Sequence, residues 1–192
     1  MINHLSKSIA LFFAKKNIIS RDELDSYIYG FQIIFSTIFN YSVIVLIMIC
    51  TGKFIETVIY ICSVFTLRHH TGGYHAKTPM RCCLLSAFVY ILVLFALNLT
   101  TYTYGIVCAI LLLIPSFICI LKLAPIVHKN NPVSDKSLKY HKKYSVLFSV
   151  LIVLITIVFI LIKKYGLAMI LTLGMCQVGI SLLVEKNLRR HN

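Results

Sequence analysis

Acid is scarce in this chain. Six Asp and Glu stand against 19 Lys and Arg in 192 residues, for a net charge of +13. Glu56 is the only acid inside any of the long apolar stretches, and Glu185 lies just past the last of them. The centres of those stretches are nearly all Ile, Leu, Val, Phe and Tyr. A transporter or channel needs polar or charged side chains deep in several spans. A small membrane transporter or peptide-export component therefore stands only as the alternative reading. No C-x-x-C pair, internal repeat or low-complexity segment occurs. No cleavable signal is expected either. The apolar run 9–14 is short, Lys15 and Lys16 follow it at once, and a signal peptide needs a longer run and a small-residue cleavage site.

The positive charge is spread over several segments rather than forming a stripe on a soluble domain. That argues against nucleic acid as a partner, and anionic membrane lipid accounts for part of the excess. The seven cysteines are Cys50, Cys62, Cys82, Cys83, Cys108, Cys119 and Cys176. Their number is odd and five fall inside apolar runs, so a disulfide framework is not expected.

What the chain has in abundance is apolar length. Hydrophobic residues make up 59% and the mean hydropathy is +0.88, where soluble domains hold about 45–50% apolar residues. The surplus falls in runs long enough to cross a bilayer. The expected fold is all-α: a polytopic integral membrane protein, one membrane-embedded domain over 1–192. Six spans are predicted, at 27–51, 54–67, 82–100, 103–123, 144–162 and 167–184. The second is short for about 30 Å of hydrocarbon. Segment 1–17 repeats Ile2, Leu5, Ile9, Phe12 and Phe13 at helical spacing and reads as an amphipathic helix lying in the interface. With six spans, 16 of the 19 Lys and Arg share one side with both termini and the segments 68–81 and 122–143. Positive charge marks the cytoplasmic side. Both termini and both segments are thus predicted to be cytoplasmic, in a cell-membrane protein.

The densest polar cluster at a span boundary is Arg68-His69-His70-Thr71-Gly72-Gly73-Tyr74-His75-Ala76-Lys77-Thr78-Pro79-Met80-Arg81-Cys82-Cys83. Gly72 and Gly73 permit backbone conformations closed to other residues and close approach by another chain. A thiol and an imidazole in one segment suggest a Cys-His dyad, in which the imidazole takes the thiol proton and the thiolate attacks a carbonyl. Seven residues separate His75 from Cys82. On one continuous helix they would lie about 10 Å apart, beyond hydrogen-bond reach, so the dyad requires the chain to fold back. Two other readings stay open. His69, His70, His75, Cys82 and Cys83 offer N and S ligands to zinc or copper, in spacings that match no standard pattern. The vicinal Cys82-Cys83 could form a strained redox pair.

Arg68, then Gly72-Gly73-Tyr74-His75-Ala76, then Cys82 seven residues after the histidine, resembles the signature of the accessory gene regulator B (AgrB) family. The Ala124-Pro125 and Asn131-Pro132 segment with its lysines is similar to the family's Pro loop, although Asn131 stands where the family commonly has Lys. The resemblance extends over essentially the whole chain. It implies a membrane cysteine endopeptidase of quorum sensing, with Cys82 as nucleophile, His75 as base and no cofactor or metal. It implies as substrate an AgrD-like propeptide with an acidic C-terminal tail. The tail leaves, an acyl-enzyme thioester forms, and an internal Cys or Ser of the peptide closes a thiolactone or lactone. A homodimer is also implied. Beside these, Gln32 is a candidate oxyanion donor and Arg68 a candidate to hold the loop or a substrate carboxylate. Lys139, Lys142 and Lys143 are candidates to dock the acidic tail. Glu56 could orient His75, but it lies near the far end of the second span.

Overall fold

The computed structural model of the chain describes residues 2–74, 79–99, 102–126 and 134–190. Its helices are α1 (Ile2–Lys15), α2 (Leu24–Thr51), α3 (Phe54–Thr71), α4 (Pro79–Leu99), α5 (Tyr102–Leu123), α6 (Asp135–Leu161) and α7 (Tyr165–Arg190), with a short 3-10 turn, Arg21–Glu23, before α2. The all-α expectation holds. The chain packs as two compact units. One comprises Met1–Thr51 and Ala76–Phe88, the other Gly52–His75 and Val89–Asn192.

In the first unit α1 packs on α2. The residues it buries are small, Ser6 and Ala10, and Phe13 meets Phe31 edge-on with ring centres 5.6 Å apart. Leu5, Leu11 and Phe12 stay exposed. Small side chains on one face let two helix backbones approach, and large apolar ones on the other suit lipid.

In the second unit α7 is the central helix, packed against α3, α5 and α6. Ile170, Met175, Val178 and Leu182 are fully buried along it. Its glycines are the contact points. A Cβ on Gly174 would lie 3.0 Å from Ser63 Oγ, and Gly179 faces Ser116 and Cys119. Cys119 Sγ donates to the Gly179 carbonyl at 3.3 Å. Tyr60 stacks on Tyr90 at 4.8 Å and donates its hydroxyl to Gln177 Oε1. The buried hydroxyls of Ser149, Thr156 and Thr172 return to carbonyls four residues back, which satisfies them without a cross-helix partner.

Among the described residues, five helical segments are long and apolar enough to cross a membrane: Arg21–Thr51, Met80–Leu99, Tyr104–Leu123, Asp135–Leu161 and Tyr165–Arg190. Such a set suits a multi-pass membrane protein. The predicted second span, α3, is not among them. Its polar ends are the physical reason: Glu56 lies in its first turn and Arg68, His69 and His70 in its last, so only the stretch between them is apolar. The fifth predicted span also changes. Its helix begins at Asp135 rather than Tyr144, capped by Ser134, whose hydroxyl accepts from the Ser137 N–H at 3.4 Å.

Candidate active site

The glycine pair ends α3. The Gly72 N–H closes the helix on the Arg68 carbonyl at 3.0 Å, and the chain then turns with Gly72 at φ +69° and Gly73 at φ +135°. Both values lie where an L side chain is strained. Space is as restrictive as torsion. A Cβ on Gly72 would sit 2.4 Å from the Ile126 carbonyl oxygen, and one on Gly73 would sit 2.5 Å from Ser181 Oγ. The two glycines therefore provide positive φ and close approach together.

Three elements of the second unit hold this turn. The Ile126 N–H, just after the cis Ala124-Pro125 bond, donates to the Thr71 carbonyl at 2.9 Å. The Tyr74 N–H donates to Ser181 on α7, at 2.9 Å to the hydroxyl and 3.3 Å to the carbonyl. Arg68 Nη2 donates to the Tyr74 carbonyl at 2.7 Å. Every polar backbone group of Tyr74 is thus engaged, so the residue before His75 has little freedom. Arg68, Gly72 and Gly73, named from the sequence, converge here. Ser181 and Ile126 do not stand out in the sequence. Ser181 lies 107 residues from Tyr74, and no local pattern marks either residue.

His75 lies outside the described residues. The other two histidines of the cluster are absorbed into packing. His70 stacks against Tyr144 at 5.3 Å and Phe148 at 5.2 Å, with His141 at 5.5 Å and His69 edge-on at 4.8 Å. It sits beyond the apolar stretch 54–67. Burial pushes its imidazole below the ordinary histidine value, and the neighbouring His69 and His141 push the same way. Its Nδ1 is buried with no hydrogen-bond partner among the described residues.

Cys82 and Cys83 lie in the first unit, in the first turns of α4, which Pro79 opens. Proline suits a first helical position because its missing N–H would be unpaired there in any case. Cys83 is buried at 4% exposure. Cys82 is only partly buried, and both thiols are free. Of the two, Cys82 is the more accessible. It also lies where unpaired backbone N–H groups favour an anion. Gln32 is in the same unit, partly buried on α2; its backbone carbonyl accepts from Ser36 Oγ at 2.5 Å. Among the described residues no three His, Cys, Asp or Glu side chains gather as a metal-ligand set.

The three candidate docking lysines are on a helix rather than a loop, since α6 starts at Asp135. Lys139 and Lys143 are exposed. Lys142 is committed elsewhere: its Nζ donates to the carbonyls of Leu121 and, at 2.7 Å, Ala124, closing the C-terminal end of α5. Glu56 lies within 4.0 Å of Lys53 in the first turn of α3, at the opposite end from the glycines.

The sequence model of the family described as accessory gene regulator B matches residues 6–182. Protein FsrB of Enterococcus faecalis (strain ATCC 47077 / OG1RF) is 30% identical over 162 residues, which cover 83% of this chain and 65% of FsrB. No solved structure matches the chain. The family match runs from within α1 to within α7 and takes in the glycine turn and both vicinal cysteines, so the chain belongs to the accessory gene regulator B family.

Proposed function

We propose that the protein is a membrane cysteine endopeptidase that processes an AgrD-like autoinducer propeptide in quorum sensing. The observation that carries this reading is the turn at 72–74, fastened on three sides immediately before His75. A general base must stand at hydrogen-bond distance from its partner, positioned to within about 0.5 Å. An enzyme that uses His75 has reason to fix the backbone leading into it. The partly exposed Cys82 thiol and membership in the AgrB family support the same assignment.

The chemistry follows from the two groups. His75 accepts the Cys82 proton, and the thiolate adds to the carbonyl carbon of the bond before the acidic tail. The C–N bond breaks as the imidazolium returns its proton to the departing amine. An acyl-enzyme thioester is left. A Cys thiol or Ser hydroxyl within the peptide then attacks that carbonyl, giving up its proton to His75, and Cys82 departs as the product ring closes. A tethered nucleophile outcompetes water through high effective concentration. In this reading Gln32 donates to the oxyanion, Arg68 positions the loop, and exposed Lys139 and Lys143 attract the acidic tail.

The topology belongs to the same proposal. The apolar stretch 54–67 of α3, about 21 Å of helix, acts as a short sixth span. Both termini and the catalytic segment are then cytoplasmic. Impermeant maleimide labelling of single cysteines, introduced into a Cys-free variant in intact cells, tests this. Strong labelling in segment 68–81 would rule the scheme out. The activity is tested by incubating the membrane-embedded enzyme with an AgrD-like propeptide. Wild type should release the tail and Cys82→Ser should not.

A further inference from the structure

The C-terminal ends of α5 and α7 frame a cleft that the proposed reaction does not use. Lys122, Lys186, Arg189 and Arg190 line it, with Pro125 and Ile126. Four cations from two helices meet there. Glu185 pairs with Arg189 at 2.9 Å and offsets one of them. Among the described residues Lys122, Lys186 and Arg190 have no acidic partner. Like charges gathered at one concave surface repel each other, and a bound anion relieves that repulsion. The end of α5 would ordinarily oppose an anion, because a helix C-terminus carries partial negative charge. Here Lys142 takes the Leu121 and Ala124 carbonyls, which offsets the partial charge of the α5 end, and Arg189 and Arg190 stand in the last turn of α7.

Its depth selects the ligand. The apolar segment Tyr104–Leu123 ends at the cleft, and Tyr165–Arg190 ends there too. One to two turns back along α7, Leu183 and Val184 remain exposed. Cations at the ends of two spans, beside exposed apolar side chains, match an anion that carries acyl chains. They do not match a fully solvated one. We infer that this cleft binds the headgroup phosphate of an anionic phospholipid.

Occupancy would bear on the turn at 72–74. Ile126, in the cleft wall, donates to Thr71. Ser181, one turn before Glu185 on α7, holds Tyr74. A headgroup gripped by Lys122 on one side and by Lys186 and Arg190 on the other ties together two of the elements that fasten the turn.

The test uses the full chain, equilibrated with vesicles of equal phosphatidylglycerol and phosphatidylcholine, then released into detergent for native mass spectrometry. Wild type should retain phosphatidylglycerol in clear excess. The variant K122Q/K186Q/R190Q should retain about tenfold less, since each interfacial cation adds to the attraction. K136Q/K139Q/K143Q removes the same charge from α6 and should retain lipid as wild type does. K122R/K186R should also retain it, and the single variants K186Q and R190Q, milder in any effect on folding, should each lose about two- to threefold. Unchanged retention in the cleft triple, equal loss in both triples, or no preference between the lipids would overturn the assignment. Displacement of the lipid by inorganic phosphate alone would make the ligand a free anion instead. Displacement by an oligoglutamate peptide but not by phosphate would make it an acidic peptide. Either result also overturns the lipid site.

Discussion

Two neighbouring regions are held in opposite ways, one through its histidine rings and one through its backbone. Before the glycines, His69 and His70 ride the end of α3, and His70 lies against Tyr144 and Phe148, one turn apart on α6. Past the glycines, the chain is gripped by its backbone instead: Arg68, Ser181 and Ile126 hold 71–74 through main-chain groups. The first arrangement uses an imidazole as an aromatic plate and desolvates it. The second fixes the main chain as far as Tyr74. His69 and His70 thus belong to packing, and holding by the backbone takes over where helix geometry stops.

The sharpest way to break this contrast is to give the turn side chains. Gly72→Val and Gly73→Val should each cut propeptide cleavage by more than about a hundredfold, because both strain φ and meet Ile126 or Ser181 within 2.5 Å. Tail release per membrane-inserted enzyme, measured by quantitative mass spectrometry, checks it. Wild-type rates in both variants would reduce the pair to loop filler.

The packing side should respond in stability rather than rate. His70→Ala removes a ring stacked on two others and should cost about 2 kcal/mol, read as a lower melting temperature in detergent. Cleavage by the folded fraction should stay within about threefold of wild type. pH sharpens the point. His70 is held below its ordinary value of 6.5, so the unfolded chain binds its proton first. Stability should fall as pH drops through about 6.5 and level off once the folded-state value is passed. His70→Phe should flatten that dependence. An equally steep fall in His70→Phe would assign it to another group.

Helix α6 separates lysines in the same manner. Lys142→Met should lower stability by about 1–2 kcal/mol, since the α5 carbonyls lose a charged donor. Lys139→Glu with Lys143→Glu should leave stability alone and weaken propeptide binding about tenfold at low salt, and less at high salt. Fluorescence anisotropy with a labelled propeptide distinguishes the two outcomes. The smallest effect is expected at Ser181→Ala. The Tyr74 N–H keeps the Ser181 carbonyl, so the loss should be about one neutral hydrogen bond, or threefold to fivefold in cleavage.

Some of this was legible from residues alone. Long apolar runs mark α2, α4 and α5 to within three positions, because lipid permits little else over about 20 residues, whereas α7 continues six residues past the predicted 184. The start of α6 was not, since four lysines in ten residues look like loop until Ser134 caps them into a helix. Helix α3 falls short of a span on apolarity because Glu56 opens it and Arg68, His69 and His70 close it. Gly72 and Gly73 declared a special backbone, but not what it would touch. Ile126 reaches the turn from the segment after α5 and Ser181 from α7, and pairing at such separation leaves no local signature. The choice of Cys82 over Cys83 came from resemblance. The difference in their burial adds a physical reason that neither residue type nor spacing contains.

The central claim is that Cys82 is the nucleophile and His75 its base, and mass spectrometry of the acyl-enzyme tests it most directly. Wild-type protein and propeptide, quenched in acid and digested, should yield a hydroxylamine-sensitive thioester on the peptide that contains Cys82. Fragmentation should place the adduct on that sulfur. Cys83→Ser should still form it, while Cys82→Ser and His75→Ala should not, because a hydroxyl is too weak an acid for the same base and an unpaired thiol lacks its activator. An adduct on Cys83, or full tail release by Cys82→Ser, would contradict the account.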